Sequence, residues 1–123
     1  MKPRKTTEDY LKTIYILSLR NEVHACMIAE HLGVSRPTVS VSLKRLADEG
    51  YLIVGERKAV TLTEKGLEIA MPVFQRYQVL QKLLTGLGVS ETAAFHDACE
   101  MEHGLSEESY HALKSFVEQE SAR

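Results

Sequence analysis

Gly33 constrains this fold more than any other position, because it separates two helical stretches by too little chain for anything but a tight turn. Cys26–Leu32 places Ile28, Ala29 and Leu32 at helical spacing, and Gly33 can end that helix in the left-handed conformation. Ser35 follows as an N-cap, with Pro37 in the first turn where its missing N–H costs nothing. The next helix runs to about Glu49, turns Val39, Leu43, Leu46 and Ala47 inward, and is stopped by Gly50. Helix, short glycine turn, helix is the helix-turn-helix pattern, and Ser35–Glu49 takes the position of the helix that enters a DNA groove.

The flanking sequence completes a winged version of that unit. Upstream, Thr6 and Asp9 form a T-x-x-D capping pattern, and Leu11, Ile14, Tyr15 and Leu17–Leu19 supply an apolar stripe, so a helix is expected over 6–19. Asn21–Ala25 reads as a connection. Downstream, Tyr51–Val54 and Val60–Leu62 are β-rich runs around Gly55-Glu56-Arg57-Lys58, a hairpin with a basic tip. Thr63 then caps a helix that reaches about Leu84, with a kink or break expected at Pro72. Gly86 and Gly88 form a joint, Ser90 caps a helix through about His103, and Ser106 caps a last one ending near Glu120.

Net charge is −2 over 123 residues, which looks wrong for a DNA binder until it is divided. Residues 89–123 hold eight acidic side chains against two basic ones, a charge of −6, which leaves +4 on residues 1–88. One end therefore suits phosphate and the other suits cations or a partner. On the expected recognition helix, Ser35, Arg36, Pro37, Thr38, Ser40 and Ser42 bring short side chains and one guanidinium to the groove. Lys44, Arg45, Arg57 and Lys58 add phosphate-neutralising charge. A winged fold serving only protein contact is the competing interpretation, and this hydroxyl-rich, basic surface argues against it. Two cysteines are too few for a disulfide framework. No apolar run is long enough to span a bilayer, and none follows Met-Lys-Pro-Arg-Lys as a signal peptide requires, so a cytoplasmic protein is expected.

The acidic end carries a second motif. Cys99, Glu102 and His103 fall at i, i+3 and i+4 of one helix, with Cβ atoms roughly 5–6 Å apart. A thiol, a carboxylate and an imidazole on one face suit a first-row divalent metal better than Mg²⁺ or Ca²⁺, which prefer all-oxygen shells. Taken singly, Cys99 is a small core residue and Glu102 and His103 a solvated face. Their convergence downstream of a DNA-binding head points instead to metal. Cys26, in the short second helix, reads as plain packing.

Taken together, the motifs resemble one family, the metal-dependent regulators of the diphtheria-toxin-repressor and manganese-transport-regulator type. The matching stretches are Thr6–Leu11, Ile14-Tyr15, Ile28-Ala29-Glu30, Ser35–Ser40, Leu62-Thr63, Lys65-Gly66, Cys99–His103 and Leu105-Ser106. The resemblance implies that Asp9 is a fourth ligand beside Cys99, Glu102 and His103, at a position where iron-type members use methionine and manganese-type members aspartate. Tyr77 and Gln81 stand where the family often has ancillary-metal ligands, Phe95 stands at another such place, and His96 is one place out of register. Lys12 replaces a glutamate that helps manganese-type members hold a second ion. One principal metal per subunit is therefore expected, with His96 and Glu100 more simply solvated.

The expected architecture is mainly α: a winged helix-turn-helix DNA-binding domain over 1–71 with a small β-hairpin wing, then an all-helical metal-binding and dimerisation domain over 72–123. The expected protein is a homodimeric, Mn²⁺- or Fe²⁺-dependent repressor acting on a near-palindromic double-stranded operator, with Zn²⁺, Co²⁺ or Ni²⁺ able to substitute in vitro. Dimerisation follows from apolar residues in excess of what so small a lobe can bury: Leu83, Leu84, Leu87, Phe95, Met101, Leu105, Leu113, Phe116 and Val117. Two other classes compete. A metal-independent winged-helix regulator switched by oxidation of Cys26 or Cys99 would ignore a chelator. A zinc enzyme built on Glu102 and His103 would need a nucleophile elbow, glycine-rich loop or H-E-x-x-H pattern, and the sequence has none.

Overall fold

A computed structural model describes residues 5–122, with side chains from Thr7 onward. The order is α1 (Lys5–Ser18), α2 (Ala25–Leu32), α3 (Arg36–Asp48), β1 (Leu52–Val54), β2 (Val60–Leu62), α4 (Glu64–Gly86), α5 (Glu91–His103) and α6 (Glu107–Ser121). The protein is mainly α, with one antiparallel hairpin between α3 and α4. Its chain divides into two compact units, the first through Pro72 and the second from Val73 onward.

In the first unit, the turn after α2 forms as its glycine requires. Gly33 has φ 70° and donates its N–H to the Ala29 carbonyl at 2.9 Å. A side chain in that left-handed conformation would cost about 1 kcal/mol, and glycine has none to strain. Ser35 Oγ then accepts from the Thr38 N–H, and Pro37 lies in the first turn of α3. Leu11 and Ile14 from α1, Ile28 from α2, and Val39 and Leu46 from α3 are buried in one core with Leu52 and Val60 of the hairpin.

The hairpin register pairs Leu52 with Leu62 and Val54 with Val60. Residues 21–25 contribute more than a connection. Val23 is buried and forms an isolated bridge with Val60, whose N–H donates to the Val23 carbonyl at 2.8 Å. The hairpin's inner edge is thus satisfied by chain that precedes the helix-turn-helix.

Three expectations need correction. Leu19 lies past the end of α1 and is exposed, because the helix ends at Ser18 before the apolar stripe does. Cys26 is exposed in the first turn of α2, whose buried residues are Ile28 and Ala29. At Pro72 no break occurs, and α4 runs through it to Gly86. The cap expected at Thr6 lies outside the described side chains, and the helix already includes Lys5.

Where α3, the hairpin and α4 meet, local hydrogen bonds fix the path. Thr63 Oγ1 donates to the Gly50 carbonyl at 2.7 Å and accepts from the Gly66 N–H at 3.1 Å, so one hydroxyl caps α4 and ties it to the end of α3. Lys65 Nζ donates to the Glu49 carbonyl at 2.7 Å and lies over the Tyr51 ring. Gly66 is pressed against the Tyr51 backbone so closely that a Cβ there would stand 2.1 Å from the Tyr51 carbonyl oxygen. Backbone on backbone leaves nothing to rotate away. Gly66→Ala should therefore destabilise the protein by about 2–3 kcal/mol, the upper part of the overpacking range, which urea unfolding will measure.

Candidate metal centre and nucleic-acid interface

Starting with the second unit, α5 is capped by Ser90, whose Oγ accepts from the Ala93 N–H at 3.2 Å. Its buried face is Ala94, Ala98 and Glu102, successive positions four residues apart. The first two are small and apolar; the third is a carboxylate whose side chain is 2% exposed. Burying a carboxylate is costly unless a cation compensates it. His103 follows directly, its Nε2 3.7 Å from Glu102 Oε1. Two ligands each about 2.1 Å from one ion stand about 3–3.4 Å apart, so these donors are within a small side-chain adjustment of sharing a cation. Cys99 is half-buried one turn earlier on the same helix. The donor set fits a divalent transition metal.

The turn after His103 is held from a distance in sequence. Arg76 on α4 donates through Nη1 to the Leu105 carbonyl at 2.8 Å and through Nη2 to the Glu107 carboxylate. Its guanidinium also lies over the Tyr110 ring, 4.9 Å from the centroid. One planar fork thus fixes the α5–α6 joint and the first turn of α6. Nothing local marks Arg76 for this role, because its partners lie 29 and 31 residues away.

Positions expected to lack ancillary ligands are filled by packing. Tyr77 stands edge-on to Phe95 with ring centroids 5.7 Å apart, and Phe74 and His96 continue the row. His96 and Glu100 are exposed.

In the first unit, Asp9 is half-buried on α1. Lys12, one turn later, is almost fully buried, with Nζ 4.0 Å from Asp9 Oδ1. The sequence offered no sign of that burial, since a lysine at the edge of an apolar stripe ordinarily leads outward.

On α3 the residues expected to meet DNA differ in exposure. Ser35, Arg36, Pro37, Thr38, Ser40 and Lys44 are exposed, and Ser42 is half-buried. Arg45 is engaged with Glu49 at 3.1 Å. At the wing tip Arg57 and Lys58 are exposed with φ of 59° and 58°. Two consecutive non-glycine residues in the left-handed region are a strained arrangement of the kind that persists at functional turns. The sequence reading passed over Val41, which is 72% exposed on α3.

Comparison with known proteins follows the same division. Residues 4–60 match the profile of the iron dependent repressor N-terminal DNA binding domain, and residues 63–121 match the iron dependent repressor metal binding and dimerisation domain. The chain belongs to the iron-dependent repressor family. It is 37% identical over 117 residues to the transcriptional regulator MntR of Salmonella typhimurium, covering 94% of this chain and 74% of that protein. It is also 36% identical over 105 residues to the iron-dependent repressor IdeR of Mycobacterium bovis, covering 84% of this chain and 46% of IdeR. A solved manganese-dependent transcriptional repressor in complex with manganese superposes with a TM-score of 0.76 at 30% identity, covering 90% of this chain and 52% of its own. The chain therefore spans about half the length of that structure.

The Arg76 clamp is testable by stability alone. Arg76→Met removes two charge-assisted hydrogen bonds from a mostly shielded guanidinium and should cost about 2 kcal/mol. Glu107→Ala removes only the exposed partner and should cost under about 0.5 kcal/mol. Thermal unfolding of the two variants will separate these values.

Proposed function

We propose that this chain is a Mn²⁺- or Fe²⁺-dependent DNA-binding transcriptional repressor that controls metal-homeostasis genes. The observation that carries the reading is the buried Glu102 carboxylate beside His103, in the unit whose sequence matches a metal binding and dimerisation domain. The relatives' names support it: one is a manganese-dependent repressor with its metal, another an iron-dependent repressor.

In this reading Asp9, Cys99, Glu102 and His103 hold the ion. When bound, it supplies positive charge and directed bonds that tie α1 to α5. Anchoring the DNA head through Asp9 restricts its orientation, and operator binding no longer selects a rare geometry. By linkage, operator then strengthens metal binding by the same factor. The buried Lys12 ammonium beside Asp9 and the aromatic packing of Tyr77 and Phe95 favour one principal ion per subunit.

Ser35, Arg36, Pro37, Thr38, Ser40 and Ser42 read or approach the groove, while Lys44, Arg57 and Lys58 bind phosphate. A homodimer presents two such heads to a near-palindromic operator. Its natural contact region is the groove of about 370 Å³ lined by Leu83, Leu87, Phe116 and Val117, with Leu87 73% and Phe116 50% exposed. Among the described residues no helix is long and apolar enough to cross a membrane.

Fluorescence anisotropy of a labelled operator duplex under reducing conditions tests the reading. Mn²⁺ should tighten binding at least about tenfold, within the usual range of coupling between two sites, and Asp9→Ala and His103→Ala should abolish the gain. If those variants bind without metal as tightly as the parent binds with it, the reading fails. Cys99→Ser should weaken Zn²⁺ and Co²⁺ binding more than Mn²⁺ binding, because a thiolate favours the softer ions; competition titration will show the ratio.

A further inference from the structure

The outward face of α3 carries an aliphatic side chain that none of the roles above uses. Val39, Leu43 and Leu46 are the buried residues of this helix. At 100° per residue, Val41 lies on the arc opposite to them, close to Pro37 and Thr38 one turn before and Lys44 and Arg45 one turn after. It is 72% exposed, more than Val34, Ile53 or Val54, the other exposed aliphatic residues of the region spanning the helix-turn-helix and wing. Single exposed apolar residues are ordinary on protein surfaces. This one, however, stands at the centre of a face with Lys44 and Arg45 at its C-terminal end and the hydroxyls of Ser40 and Ser42 at its flanks.

We infer that Val41 is a specificity-determining residue that reads a thymine C5-methyl group in the major groove. The inference rests on the proposed DNA-binding function and adds the base that one residue selects. A branched aliphatic side chain has no donor or acceptor for the polar edges of guanine, adenine or cytosine. Thymine alone presents an apolar group in the major groove for it to cover. Covering one methyl group is worth about fourfold in affinity, and opposing Val41 to a polar edge leaves that edge unpaired. Arg36 and Lys44 supply the attraction to phosphate that carries no sequence information.

Selection from a pool of randomised DNA duplexes with the Mn²⁺-loaded protein gives the preferred operator for the parent and for Val41→Ala. The parent should select thymine at one position in each half-site, and Val41→Ala, which keeps only a shorter apolar contact, should weaken that preference and keep the rest of the motif. Deoxyuridine placed at that thymine removes only the methyl group. It should weaken the parent about fourfold and Val41→Ala by clearly less, with the salt dependence of binding the same for both. Since Val41 is exposed, thermal unfolding should be unaltered by the substitution. An unchanged motif for Val41→Ala, or an equal loss of affinity for both proteins on uracil substitution, overturns the inference while leaving the repressor reading intact. Selection of no duplex by the Mn²⁺-loaded parent overturns both.

Discussion

The burial of one face of α3 is the constraint on which the DNA-binding unit depends. Val39, Leu43 and Leu46 enter the core formed with α1, α2 and the hairpin, each contributing about 1.5–3 kcal/mol over an exposed position. The Ser35 cap contributes about 1 kcal/mol. Packing therefore sets the rotation of the helix about its axis, and the cap sets only where it starts. Once that rotation is fixed, Pro37, Thr38, Val41 and Lys44 have no choice but to face outward. The groove-reading surface follows from the core behind it.

A parallel logic shapes the ligand-bearing unit. Ala94 and Ala98 allow α5 a close approach to its surroundings, and the same face delivers Glu102 into a buried position. A carboxylate is expensive there, which makes its presence informative. Arg76 holds the chain immediately beyond His103 through the Leu105 carbonyl, so the last turn of α5 is anchored at the point where two expected ligands sit. Rigid support of this kind is what a site needs if its donors are to meet an ion without reorganising.

Much of this was legible from sequence because the responsible interactions are local. Ser35, Ser90 and Ser106 each cap a helix through an N–H three residues on, and Thr63 does the same for α4. Gly33 takes its left-handed turn, and the hairpin closes where β-rich runs flank a basic tip. Less accessible were features created by residues far apart in the chain. Val23 bridges to Val60, and Arg76 reaches across 29 residues. Cys26 and Leu19 were misplaced for the opposite reason: both are apolar in composition, but helix phase and helix length left them outside.

The sequence by itself determined the order of helices, their caps, the wing and the candidate ligand triad on α5, since each depends on contacts within a few residues. Tertiary structure decided which members of each helix are enclosed and which remain for solvent, DNA or metal. Burial is a property of the neighbours that surround a side chain, and those neighbours are brought by segments that local pattern does not identify. Glu102 inside and Val41 outside reverse what their chemistry alone suggests, and both reversals required the folded chain to be seen.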